Sequence, residues 1–196
     1  MHDSAQPVLS PEMLLHAYRL GVFPMGDEDG SISWYSPDPR GIVELEQFHV
    51  PKNLAKLVRQ QRFDIRLNAD FAAVMCACAD RADTWISQEI ICAYQALHVS
   101  GFAHSVEAWQ GTELVGGLYG VAIGGAFFGE SMFHRVTDAS KVALVELVQR
   151  LRNRGFTLLD TQWTTAHLRR FGARDISRDE YLQRLGAALQ LDCRFD

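Results

Sequence analysis

The chain has 196 residues, 47% of them hydrophobic, and a formal net charge of −5 at pH 7. That length and apolar share suit one compact domain, or a domain with a small annex, whose core stands without disulfides or metal. The acidic balance taken alone argues against nucleic-acid binding, although the basic residues cluster, and no apolar run is long enough to cross a bilayer. The opening residues MHDSAQPVLSPEML carry no signal-peptide pattern, so the expectation is a cytoplasmic protein that does not engage a membrane.

Ser10-Pro11-Glu12 predicts a helix start, with serine as N-cap and proline at the first helical position; the helix runs through MLLHAYRL to Gly21. Phe23-Pro24-Met25-Gly26 reads as a turn, GDEDG as a polar loop and SISWYS as a short strand. Ser36-Pro37-Asp38-Pro39 interrupts regular structure, which places a small N-terminal domain at 1–38 and the main domain at 39–196. GIVELEQFHV is strand-like. In PKNLAKLVRQQR, Leu54, Leu57 and Val58 share an apolar helix face while Lys52, Lys56 and Arg59 share another. FDIRLN alternates as a strand does; residues 70–79 and ISQEIICAYQALHVSG read as helices, the second ending at Gly101.

HSVEAWQ and ELVGGLYGVAIGGAFFGESMF predict successive antiparallel strands with glycine at the bends. A helix begins near Thr137 or Asp138 and ends at Gly155. FTLLDTQ is a strand, TTAHLRRFG a short helix, and Arg178 to Leu189 holds the last helix. Of the four cysteines, Cys76 and Cys78 lie in the apolar run FAAVMCACA and read as core. Neither the cysteines nor the seven histidines have zinc-ligand spacing, so no metal is expected. The order of elements gives an α/β (α+β) fold with a mostly antiparallel central sheet. It fits the scaffold of N-acetyltransferases, known as GNAT. Against an acetyl-CoA enzyme, the run RVTDASK before the central helix lacks the glycines of a pyrophosphate-binding loop.

Two polar clusters end otherwise apolar strands: Glu130 with Ser131, and Asp160 with Gln162. Polar groups there must be hydrogen-bonded or functional, because burying them unpaired is costly. Asp160 and Gln162 are two apart on a strand and are expected to face one side. From the residues alone, catalysis by Asp160 and capping of the next helix by Asp160 stand level.

Several runs carry a resemblance. AYRLGVFP, WYSPDPR, Thr84-Trp85-Ile86, AHSVE, LVGGLYGV, GESMF, ASK and LLDTQ occur in the order found in the leucyl/phenylalanyl-tRNA–protein transferase family, across about Leu9 to Leu189. The resemblance implies a small N-terminal domain on an acetyltransferase-like domain. It implies transfer of leucine or phenylalanine from Leu-tRNA or Phe-tRNA to proteins beginning with arginine or lysine, which marks them for degradation. It implies no cofactor, aminoacyl-tRNA being a substrate, and the chain is expected to act as a monomer.

Residue by residue, the resemblance gives Asp160 and Gln162 the catalytic pair and Glu130 a third catalytic acid. Phe127, Met132 and Leu118 fall at amino-acid-pocket positions, where flexible side chains suit both leucine and phenylalanine. Trp85 and Tyr94 fall beside the tRNA 3′ adenosine, where stacking is worth ~1–3 kcal/mol per base. Lys52, Lys56 and Arg59 match a basic helix used on the acceptor stem. Without the resemblance, these aromatics read as core and the basic helix as a solvated face.

The chain departs from the family pattern in four ways. Met25 replaces a tryptophan near the adenosine, Leu118 a pocket methionine, and Thr165 an asparagine near the catalytic pair; both ends are also short. Two other functions compete: an N-acyltransferase with a different acyl donor, and a non-catalytic RNA-binding module on the same fold.

Overall fold

In the computed structural model, residues 9–196 are described. Helix α1 spans Pro11–Arg19. Its Ser10 cap accepts from the Met13 amide at 3.2 Å, and proline opens its first turn. The short strands β1 (Phe23–Gly26) and β2 (Ile32–Tyr35) pair antiparallel as a separate ribbon. The turn expected at Phe23–Gly26 is therefore a strand: its residues pair with Ile32–Tyr35, and the reversal falls in the polar loop that follows.

Strand β3 (Arg40–Val43) is buried throughout, and a single 3-10 turn over Leu45–Gln47 follows it. The longer strand expected over 41–50 thus stops early. Helix α2 (Lys52–Arg59), strand β4 (Asp64–Leu67), helix α3 (Phe71–Ala79) and helix α4 (Gln88–Val99) follow as expected. Cys78 is buried but Cys76 is exposed, since residues two apart on a helix point to nearly opposite sides.

The long strands β5 (Ala103–Gln110), β6 (Glu113–Ile123) and β7 (Ala126–His134) form the antiparallel meander. Helix α5 (Ala139–Asn153) then crosses to β8 (Leu158–Gln162), which lies parallel to β7. Helix α6 (Ala166–Arg169), strand β9 (Ala173–Ile176) and helix α7 (Arg178–Ala188) complete the chain. Strand β9 was not expected; its four residues alternate too briefly to stand out, and they pair only at the outer edge of β3.

The result is a mixed α/β fold on one seven-stranded, mostly antiparallel sheet, in the order β4-β5-β6-β7-β8-β3-β9. One apolar core lies between the sheet and α1, α3, α4 and α7; Leu14 and Tyr18 of α1 belong to it. The other lies beneath α5 and α2, where Phe195 near the C-terminus also packs. Among the described residues, no helix is long and apolar enough to cross a membrane.

One irregularity of this sheet positions the site. β7 and β8 pair only through Ala126↔Leu158, Phe127↔Leu159 and Phe128↔Asp160, and beyond these positions no pairing joins them. At that point each strand carries a bulge against its other neighbour. Tyr119↔Ser131 and Gly120↔Gly129 leave Glu130 as the extra residue of β7, while Gly41↔Gln162 and Ile42↔Asp160 leave Thr161 as the extra residue of β8.

Candidate active site

A cavity of about 280 Å³ opens beside the ends of β7 and β8. Leu118, Met132, Leu144, Leu147, Leu159 and Leu168 line an apolar part, while Glu130, Gln162, Ser131 and Arg81 bring polar groups to its wall. Phe23, Met25, Trp85 and Trp163 add apolar and aromatic surface. A concave, mainly apolar space with a few convergent polar groups is the usual form of a small-ligand site.

Beneath it lies a polar cluster built on Asp160, which has no exposed surface. Arg40 meets it through Nε to Oδ1 at 2.9 Å and Nη2 to Oδ2 at 2.6 Å. Tyr181 of α7 donates to Oδ2 at 2.8 Å, and the Gln162 amide donates to Oδ1 at 2.8 Å. Arg40 is 1% exposed; its Nη1 donates to the Gly21 carbonyl at 3.0 Å, and its guanidinium lies 4.9 and 4.4 Å from the ring centres of Phe23 and Tyr181. Burial alone would disfavour this guanidinium's charge, but the Asp160 carboxylate prevails and raises the Arg40 pKa.

Gln162 takes up a left-handed backbone, φ +56°, just after the Thr161 bulge. This breaks the strand alternation, so Asp160 turns toward Arg40 and Tyr181 while Gln162 reaches the cavity. The Gln162 Nε2 donates to Glu130 Oε1 at 3.2 Å, and Tyr94 Oη donates to Glu130 Oε2 at 3.4 Å. Tyr94 also shares a short hydrogen bond with Tyr18 of α1. Burial pushes the Glu130 carboxyl up to about 8; the Tyr18 hydroxyl opposes that rise, the Asp160 charge adds to it, and Arg40 and Tyr94 oppose it.

A model of the family described as leucyl/phenylalanyl-tRNA protein transferase matches residues 42–186, and a model of that family's N-terminal domain matches residues 1–38. The chain belongs to this family. The protein of that name from Gloeobacter violaceus is 56% identical over 188 residues, covering 95% of this chain and 97% of its own length. The relative of the same name from Herpetosiphon aurantiacus is also 56% identical, over 95% of this chain and 98% of its own. Likeness to solved structures is slight: L-PGS from Bacillus licheniformis aligns with TM-score 0.41 and 14% identity, covering 79% of this chain and 51% of that one.

The structure brings Glu130, Gln162, Leu118, Met132 and Trp85 to one cavity. Met25 lies there too. Asp160 stays behind it as the anchor of Gln162, and it caps no helix; Thr165 caps α6, accepting from the Leu168 amide at 3.2 Å.

Two expected placements are corrected. Phe127 has no exposed surface and does not line the cavity; as a regular strand residue it points to the α5 side and packs 5.2 Å from the Phe195 ring. Tyr94 is likewise wholly buried, edge-on to Tyr119, so its ring has no free face for a base. Its hydroxyl serves Glu130 instead. Lys52, Lys56 and Arg59 are exposed on α2 and make no side-chain bond to other described residues.

Sequence reasoning missed Arg40, Tyr181 and Tyr18. Arg40 was in view within WYSPDPR, but nothing local says that its partner lies 120 positions away. Among the described residues, no three His, Cys, Asp or Glu side chains converge as metal ligands.

Proposed function

We propose that the protein transfers leucine or phenylalanine from Leu-tRNA or Phe-tRNA to the α-amine of proteins that begin with arginine or lysine, marking them for degradation. Family membership supports aminoacyl transfer. The cavity is the observation that carries the reading: an apolar wall of leucines and Met132 adjoins Glu130 and Gln162. An apolar side chain gains by entering it, whereas a polar one would lose hydrogen bonds to water without replacement. Flexible Met132 and the γ-branched leucines can adapt to leucine or to a flat ring.

The reaction is aminolysis of an ester. The acceptor amine attacks the aminoacyl carbonyl, a C–N bond forms, and the C–O bond to the ribose breaks. The donor arrives activated, so the proposed reaction uses no cofactor. Gln162 gives its Nε2 to Glu130, which leaves its Oε1 to orient an N–H of the amine. Asp160 positions Gln162 through the backbone bond and the Arg40 pair. Trp85 offers a face to the terminal adenine, and Lys52, Lys56 and Arg59 meet acceptor-stem phosphates. In this reading the protein is a cytoplasmic monomer, with residues 1–38 as a small domain on an N-acetyltransferase-like domain at 39–196.

The test is transfer of labelled leucine from Leu-tRNA to a peptide starting with arginine, beside a matched peptide starting with glycine. Label on the arginine peptide alone is the expected result. Equal labelling would remove the terminal specificity, and no labelling from Leu-tRNA or Phe-tRNA would refute the transfer reading.

A further inference from the structure

Building on that reading, we propose that Glu130 is the proton carrier of the aminolysis: its carboxylate takes the proton of the attacking amine and delivers it to the departing ribose oxygen. Among the described residues, Glu130 supplies the one carboxylate that lines the cavity. Asp160 is excluded from contact with a substrate, because Arg40, Tyr181 and the Gln162 amide occupy both its oxygens and it has no exposed surface. The bulge that leaves Glu130 unpaired in the β6–β7 ladder is what frees this residue from the regular strand pattern.

Its surroundings suit a group that must exist in two protonation states. Oε1 meets Gln162 Nε2, and Oε2 meets the Tyr94 hydroxyl, which continues to Tyr18. A phenol donates to a carboxylate and accepts from a carboxylic acid, so both forms keep a partner. The titratable and charged groups around it are Tyr18 on α1, Arg40 on β3, Tyr94 on α4, Tyr119 on β6, Asp160 on β8 and Tyr181 on α7. Arg81 and His167 also line the cavity. Burial places Glu130's affinity for a proton near that of an α-amine, whose ordinary pKa is about 7.7–8.0, and general acid–base catalysis works best between groups so matched.

The step balances. The neutral amine attacks the carbonyl carbon and becomes cationic in the tetrahedral intermediate. The Glu130 carboxylate removes one N–H proton. The C–O bond then breaks, and the Glu130 carboxyl protonates the ribose oxygen, which restores the carboxylate.

This mechanism needs both the free amine and Glu130 deprotonated. The logarithm of kcat/KM for the arginine peptide should therefore rise with a slope approaching two log units per pH unit below about pH 7, and level above both pKa values. Glu130→Gln should lower the plateau by about 10²–10⁴-fold and reduce the limiting slope to one, the amine alone remaining. Asp160→Asn should slow transfer but keep the slope of two, as a positioning residue would. Tyr94→Phe removes a hydroxyl that favours the carboxylate, so one ascending step should move to higher pH. A Glu130→Gln enzyme within a few-fold of wild type, or one that keeps the slope of two, would overturn the proposal. So would an unmoved profile in Tyr94→Phe, should the first variant not fold. Wild-type enzyme without transfer at any pH would instead refute the transfer reading, and that is seen before any variant is made.

Discussion

Replacing Arg40 by methionine tests how the site is held. The wild-type pair has two charge-assisted bonds at 2.9 and 2.6 Å, and both side chains are excluded from water at 1% and 0% exposure. Methionine keeps much of the apolar stem that Phe23 and Tyr181 enclose, but it leaves the Asp160 carboxylate buried without its cation. Breaking a buried pair from one side costs about 3–5 kcal/mol. For a chain of this size that is a melting-point loss of about 6–20 °C. Replacing the pair by apolar side chains is often close to neutral, so Arg40→Met with Asp160→Leu should recover most of the loss. Urea unfolding of the wild type, both single variants and the double variant closes the cycle. The double variant should still transfer poorly, because the bond that fixes Gln162 has gone with Asp160. A single-variant cost below about 1 kcal/mol, or a double variant as unstable as the two losses added, would refute the claim that Arg40 exists to offset a buried Asp160.

Other outcomes follow from the same geometry. Reversing charge at Lys52, Lys56 and Arg59 should raise KM for tRNA and flatten the salt dependence of binding by about two to three log units per log unit of salt, with no change in melting temperature because all three are exposed; an unchanged slope would return α2 to a solvated face. Glu130 has its carboxyl raised from 4.5 to about 8 in the fold, so its share of stability is whole below about pH 4.5 and is lost as pH rises toward 8. Glu130→Gln should accordingly gain stability over wild type across that window, by no more than about 1.4 kcal/mol per pH unit, in melts at a series of pH values; a gap that does not widen with pH contradicts the raised affinity. Gly41→Ala should displace the chain leaving β8, since the added Cβ would stand 2.6 Å from the Trp163 carbonyl carbon; lower transfer with a shifted Trp163 fluorescence spectrum is expected, and an unaltered spectrum would count against it.

The sequence signalled the elements whose patterns are local. Ser10-Pro11 marked α1, and Gly124-Gly125 marked the β6–β7 hairpin. The polar ends of β7 and β8 pointed to Glu130 and Gln162 because carboxylate and amide groups at apolar strand ends need a reason. What sequence could not show was registry. The bulges at Glu130 and Thr161 decide which side chains reach the cavity, and they depend on neighbours in β6 and β3 rather than on the residues themselves. For the same reason Asp160 and Gln162 part company despite their spacing of two. Phe127 and Tyr94 were misplaced because an aromatic residue looks the same in sequence whether it lines a pocket or fills the layer behind it. Arg40 carried no local sign of burial, and β9 was too short to show its alternation.

In the proposed reaction the aminoacyl side chain sits in the apolar part of the cavity against α5. The most direct test is Leu144→Trp, which fills that space from a residue 3% exposed. Single-turnover transfer from Leu-tRNA to the arginine peptide should fall by at least about tenfold, while affinity for uncharged tRNA stays at the wild-type value and circular dichroism confirms the fold. Transfer at the wild-type rate by this folded, tRNA-binding variant would place the amino acid elsewhere and contradict the account.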